Sequence, residues 1–196
     1  MTGTLVITGG IRVDVTASEE TRLWSACADG DATAFARLVT AHQGHVARLA
    51  YRLVGWSGEV EDIVQDVFLA VWTHRARFRG DCRLSTWLTV LTVNQCRKRH
   101  RMRWLWLLRQ ATPDAEFGSG EHRHDGDATA VVRDAIRQLP VAYREVIVLR
   151  YLEDLPVERV GEILGVRPNT VNVRLMRARQ RLKEKLGHVG VDEGAI

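Results

Sequence analysis

From residue 18 onward, apolar side chains recur every three or four positions and almost no stretch alternates, so the chain predicts helices and not strands. Asp31 is a good N-cap for a first long helix. Phe35, Leu38, Val39, Val46, Leu49 and Leu53 fall on one stripe of it, and Gly55 and Gly58 end it. A second helix opens on Glu59, Glu61 and Asp62, whose charges suit the positive end of the helix dipole. It buries Ile63, Val67 and Val71 and runs to about Arg77. After a break, Phe78-Arg79-Gly80-Asp81-Cys82-Arg83, a third helix turns Leu84, Trp87, Leu88 and Leu91 inward and continues into a basic run.

Residues 111–127 change character. They hold Thr112-Pro113, Gly118-Ser119-Gly120 and Gly126 with four acids before Asp127, and no apolar stripe, which describes a flexible acidic linker. Asp127 caps a new helix that ends at Leu139-Pro140. Another runs from Val141 to about Leu152, and two more follow. The fold class is therefore all-α. Two small helical domains, 18–108 and 127–187, are joined by a linker at 109–126, with a disordered N-terminal arm at 1–17 and a tail at 188–196.

The last two helices carry a recognisable arrangement. Pro156 to Leu164 forms a short amphipathic helix with Val157, Val160, Ile163 and Leu164 on one side. Gly165 supplies a left-handed turn, and Pro168 sits in the first turn of the next helix, where its missing N–H costs nothing. That helix buries Val171, Leu175, Ala178 and Leu182 and shows Asn169, Asn172, Arg174, Arg177, Arg181 and Lys185 on its other face. Helix, glycine turn and basic second helix describe a DNA-binding helix-turn-helix. The bland alternative is a helical hairpin with a solvated basic face.

Charge sharpens this picture. The net charge is +4 and the pI about 9.3, which favours an anionic partner. The cations cluster at Arg97, Lys98, Arg99, Arg101 and Arg103 and again from Arg174 to Lys185, while acids collect at 59–66 and 114–127. Phe78 and Gly80 precede a helix bearing Trp87, Asn94 and those arginines. Aromatic faces beside cations are what unpaired DNA needs, although Trp87 also fits a core position and Asn94 an ordinary surface one. Three dispersed cysteines without a CxxC fit a reducing cytoplasm. Cys96 and His100 read as an incidental pair, so neither a metal nor another cofactor is expected. The apolar start, MTGTLVITGGIRV, is short and has no basic n-region, and no run reaches the ~18 apolar residues of a membrane span, so neither signal peptide nor membrane insertion is expected.

Three stretches together resemble the extracytoplasmic-function (ECF) group of bacterial sigma factors in the sigma-70 family. They are GDATAFARLVTAHQGHVARLAYRLVG, EDIVQDVFLAVWTHRARFRGDCRLSTWLTVLTVNQCRKR and LPVAYREVIVLRYLEDLPVERVGEILGVRPNTVNVRLMRARQRLKEKL, in family order and at family spacing. The resemblance implies a non-catalytic subunit that binds core RNA polymerase, through the β′ clamp helices and the β subunit, and promoter DNA. It also implies an anti-sigma factor as a partner. Asp62, Gln65, Asp66 and Leu69 would meet the clamp helices, and their i, i+3, i+4, i+7 spacing does place them on one face. Phe78 and Asn94 would line a pocket for a base flipped from the −10 element, with Arg97 and Arg99 on phosphates. Asn169, Asn172, Val173, Arg174, Met176 and Arg177 would engage the −35 element. The acidic linker would thread toward the polymerase active centre and RNA exit path.

Some positions depart from the family. Pro156 and Arg167 stand where relatives carry serine caps, and a missing cap costs about 1 kcal/mol; Asp154 is the expected substitute at the first. Asn172 and Val173 differ from the residues common in relatives, which implies a different −35 preference. Two other readings compete. A stand-alone helix-turn-helix regulator leaves Asp62–Asp66 and Phe78–Arg99 without a job. A metal-dependent nuclease using Glu59, Asp62 and Asp66 lacks a ligand from elsewhere to complete a site.

Overall fold

The computed structural model describes residues 16–55, 57–78, 80–109 and 128–187. The expected N-terminal arm, acidic linker with its Asp127 cap, and C-terminal tail lie, but for a residue or two, outside the described residues.

The first unit contains α1 (Ala17–Ala28), α2 (Ala32–Val54), α3 (Val60–Thr73) and α4 (Leu84–Arg109). α1 is not foreseen from the pattern, because within the helix only Leu23 and Cys27 are fully buried, too short a stripe to declare itself. Thr16 caps it by accepting the N–H of Glu19 at 3.3 Å. α2 begins as expected: Asp31 Oδ1 accepts the N–H groups of Thr33 at 2.7 Å and Ala34 at 3.1 Å. Its stripe, with Val46, Leu49 and Ala50 wholly inaccessible, packs against Ile63 and Val67 of α3 and Leu88 and Val93 of α4. α3 stops at Thr73, four residues short of the expected Arg77. There Thr73 Oγ1 bonds back to the Leu69 carbonyl at 2.8 Å, and Arg75 takes the Trp72 carbonyl at 2.8 Å while lying over the Trp72 ring. Arg75–Arg77 tightens into a 3₁₀ turn. On α4, Leu84 and Leu88 are buried as expected, whereas Trp87 and Leu91 are only partly covered.

The second unit contains α5 (Ala128–Arg137), α6 (Val141–Ile147), α7 (Val157–Leu164) and α8 (Pro168–Gly187). The expected helix to Leu152 is present, but its last stretch, Val148–Leu152, is a π-helical turn. Asp154 does not replace the missing cap of α7. It sits at φ +50° with its side chain fully exposed, 3.6 Å from Arg150, and α7 has no side-chain cap. Proline at the N-cap still passes its carbonyl to Val160 N–H at 2.9 Å.

The two units do not merely share a tether; they pack together. Arg144 on α6 is buried and donates through Nη1 to the carbonyls of Leu53 at 2.8 Å and Val54 at 3.0 Å, the last carbonyls of α2. Its Nη2 reaches the Leu139 carbonyl at 3.2 Å. Gly55 makes this approach possible. It ends α2 in the left-handed region, φ +89°, and a Cβ there would lie 2.7 Å from Arg137 Cγ and 3.1 Å from Arg144 Nη1. No described helix is long and apolar enough to cross a membrane.

Gly55→Ala is therefore expected to cost at least about 1–2 kcal/mol from the left-handed backbone alone, with a further loss from displacing Arg137 and Arg144. Thermal unfolding of the variant should show a midpoint lower by roughly 2–8 °C; an unchanged midpoint would show that the turn and the seam relax without cost.

Candidate nucleic-acid interface

The helix-turn-helix is built as the sequence suggests. Gly165 adopts φ +67°, and Pro168 is the first residue of α8. A second glycine, not singled out by the pattern, is equally constrained: a Cβ on Gly161 would lie 2.8 Å from the Val166 carbonyl, so only glycine lets α7 sit this close to the turn. Val171, Leu175, Ala178 and Leu182 are buried, and Asn169, Asn172, Val173, Met176 and Arg177 are exposed, with Arg174 half-buried. Met176 is 60% exposed and Val173 37%. Two members of the basic face are occupied within the unit. Arg181 lies over the Tyr143 ring at 5.4 Å, and Lys185 donates to Gln138 Oε1 at 2.8 Å.

On α3, Asp62, Gln65 and Leu69 face solvent, and Leu69 is 61% exposed. Asp66 is half-buried. Arg99, expected on a phosphate, bridges this acidic face: Nη2 donates to Asp66 Oδ2 at 3.1 Å and Nη1 lies 3.6 Å from Asp62 Oδ2. The sequence gives no sign of this pairing, because α3 and α4 meet only after the bundle closes.

Phe78 is half-buried in an aromatic trio. Its ring centroid is 4.9 Å from Trp24, edge-on, and 5.1 Å from Trp87; Trp24 and Trp87 are 5.5 Å apart. Trp24, on the unforeseen α1, is the member that sequence reading missed. Asn94 is exposed, one helical turn before Arg97. Arg97 is engaged by the other unit: its Nε donates to Glu145 Oε1 at 2.7 Å, its Nη2 to Glu145 Oε2 at 2.8 Å, and its Nη1 to the Leu164 carbonyl at 3.1 Å. The end of α4 leaves Met102, Trp104, Leu105 and Trp106 exposed among arginines.

Cys96 is buried, and its thiol is pushed up to about 12, mainly by desolvation. Among the described residues no group of three metal-ligating side chains exists. At the other end of the seam, Arg52 Nη1 pairs with Glu153 Oε1 at 2.9 Å and reaches the Leu152 carbonyl at 3.3 Å. His45 stands between Thr89 Oγ1 at 3.2 Å and Glu153 Oε2 at 3.7 Å. Burial lowers the affinity of His45 for a proton, and the nearby Arg48, His42 and Arg52 lower it further. Burial and Arg144 do the same to His100.

Comparison with known proteins matches two families on this chain. Residues 38–105 match Sigma-70 region 2, and residues 129–182 match Sigma-70, region 4. The ECF RNA polymerase sigma factor SigW of Bacillus subtilis is 31% identical over 178 residues, covering 80% of this chain and 91% of that protein. The ECF RNA polymerase sigma-E factor of Escherichia coli is 30% identical over 177 residues, covering 80% and 88%. Among solved structures, the sigma factor RpoE in complex with the anti-sigma factor NepR from Bartonella quintana is similar at a TM-score of 0.65 and 24% identity, covering 78% of this chain and 96% of that one. CnrH in complex with the cytosolic domain of CnrY is similar at a TM-score of 0.61 and 26% identity, covering 86% and 97%.

The two depressed histidines set a pH dependence. Above their ordinary value of 6.5 both are neutral, folded or unfolded. As pH falls below 6.5 the unfolded chain takes up protons that the folded chain refuses, so stability drops. Glu153, whose carboxyl burial raises above its ordinary 4.5, acts in the opposite sense. Urea unfolding at pH 7.5 and 5.5 should show lower stability at pH 5.5, with the difference reduced in His45→Gln and His100→Gln. A pH-independent midpoint would contradict the burial of these rings.

Proposed function

We propose that this chain, which belongs to the ECF group of the sigma-70 family, reads a −10 element with the α3–α4 unit and a −35 element with α8. It is a sigma factor directing promoter recognition by RNA polymerase, and members of this family are non-catalytic subunits of that enzyme. The observation that carries the residue assignment is the pair of family matches in order along the chain, each coinciding with a surface suited to its task.

Asn169, Asn172, Val173 and Met176 approach base edges in the major groove, with Arg174 and Arg177 on the adjoining phosphates. Asp62, Gln65, Asp66 and Leu69 dock on the β′ clamp helices, an acidic face with one apolar anchor against a basic helix. Phe78 and Asn94 receive a base extruded from the non-template strand. Unstacking that base costs a few kcal/mol, which stacking and hydrogen bonding in the pocket offset. Trp24 and Trp87 hold the Phe78 ring in place for this. Arg97 and Arg99 secure the strand through its phosphates. An anti-sigma factor is a further partner, as it is for the RpoE of Bartonella quintana. The protein works in the cytoplasm, where polymerase is.

The stand-alone regulator and the nuclease explain less. The Arg99 guanidinium lies against both Asp62 and Asp66, a fixed cation beside the carboxylates that a metal would need.

Run-off transcription with purified core polymerase tests the reading: initiation at a candidate promoter is expected only when the chain is added. Binding of duplex DNA without any promoter-specific initiation would favour the stand-alone regulator, and divalent-dependent cleavage the nuclease. Phe78→Ala should impair open-complex formation, read with permanganate, while core binding persists. Leu69→Glu should do the reverse, weakening core binding by about tenfold or more and sparing duplex binding by α8. Loss of core binding in the Phe78 variant with its helix content intact would show the pocket to be misassigned.

A further inference from the structure

We propose that α8 selects a short A·T run within the −35 element, with Val173 and Met176 packed on thymine C5-methyl groups and Asn169 paired to an adenine edge. This rests on the reading of α8 as the −35 helix and adds which bases that helix prefers.

The buried residues of α8 decide which side of it can enter a groove. Val171, Leu175, Ala178 and Leu182 point into the unit. At about 3.6 residues per turn, the strip opposite them runs through Asn169, Val173, Met176 and Gln180, all exposed. Cations border the strip, Arg174 and Arg177 on one side, Arg179 and Lys183 on the other. The part of α8 that reaches deepest is thus uncharged, and its margins are basic. A groove has the same layout, with phosphates along its margins and base edges on its floor. The first turn, which carries Asn169, is formed without DNA: the Arg167 carbonyl accepts the N–H groups of Thr170 at 2.9 Å and Val171 at 3.2 Å.

An uncharged, partly apolar strip restricts the bases it can meet. In the major groove guanine shows two acceptors and cytosine a donor. The side chain of Val173 answers neither, and Met176 offers only a weak sulfur acceptor. Set over a G·C pair, these two side chains would strip water from base-edge groups and leave them unpaired. The thymine C5-methyl is the apolar group that the groove floor displays. Asn169 brings a donor and an acceptor on one carboxamide, the match for N6 and N7 of adenine.

The two apolar readers differ in stiffness. Val173 is β-branched, and a helix holds its methyl groups in essentially one rotamer, so it discriminates at a single position. Met176 is unbranched and flexible, and it accommodates a methyl at either of two neighbouring steps. From Asn169 to Met176 the helix rises about 10.5 Å, the length of about three base pairs at 3.4 Å each. The strip ends at Gln180, whose Nε2 donates to Glu184 Oε1 at 2.8 Å; beyond it the carboxylate repels DNA.

The test uses holoenzyme reconstituted with the full chain and a promoter that it transcribes. The −35 segment is first randomised and the bound fraction sequenced; a run of about three A·T pairs is expected. In the selected promoter each thymine of that run is then replaced singly by uracil, which removes only the C5-methyl. One replacement is expected to weaken binding about fourfold, the effect of one buried methyl. Val173→Ala, at an exposed position that leaves the core intact, should bind the thymine and uracil forms equally. Replacing an adenine of the run by 7-deazaadenine should weaken binding of the unaltered chain but not of Asn169→Ala. Binding within about twofold for every uracil form, or a uracil penalty that persists in Val173→Ala, overturns the proposal, and so does selection of G·C pairs across the run. The underlying reading fails in a different way. No enrichment from the randomised segment, together with undiminished initiation by Arg177→Ala, would remove α8 from the −35 element altogether. A G·C-rich selected site whose binding falls in Val173→Ala would keep α8 in the groove and remove only its preference for A·T.

Discussion

A buried guanidinium holding the end of another unit's helix is the interaction on which the rest of this structure depends. Arg144 satisfies the Leu53 and Val54 carbonyls, which α2 leaves without intrahelical partners. It also brings positive charge to the negative end of the α2 dipole. The approach is possible only because Gly55 turns the chain away with no side chain in the gap. Desolvation lowers the pKa of Arg144, the mark of a charge kept from water at some cost. Once it is seated, its neighbour Glu145 is delivered to Arg97 on α4, and the π-helical turn that follows brings Glu153 to Arg52.

This seam links the two halves of the function. The proposed −35 surface on α8 depends on local construction: a left-handed glycine, a close helix–turn contact at Gly161 and an apolar stripe. The proposed −10 surface depends on distant contacts. The Phe78 ring is set by Trp24 and Trp87 from two different helices, and Arg99 is set by acids on a third. Arg97 is set by the second unit altogether. A charged group whose counter-charge comes from another unit is sensitive to how the units sit, whereas a helix face is not.

Arg99 also joins two surfaces that separate tasks would keep apart. The same guanidinium lies against Asp62 and Asp66, on the face assigned to polymerase, and beside the residues assigned to DNA. An ion pair this exposed contributes little to stability, on the order of 1 kcal/mol or less. Its consequence is geometric: it ties α4 to the acidic face of α3.

The sequence by itself determined the helical class, the apolar stripes of α2, α3 and α8, the capping by Asp31, the glycine turn at 165 and the exposed reading face. Each is a local property, fixed by spacing along one helix or by the conformational freedom of one residue. The short α1 escaped because two buried positions make no period, and the end of α3 moved because Thr73 and Arg75 claim its last carbonyls. Only the tertiary structure decided that Arg97 faces Glu145, that Arg99 bridges Asp62 and Asp66, that Trp24 completes the aromatic trio and that the two units share a seam. Those contacts join residues between 33 and 101 positions apart. A one-dimensional pattern shows which groups carry charge or an aromatic face, but it does not encode which of them folding brings within 3 Å.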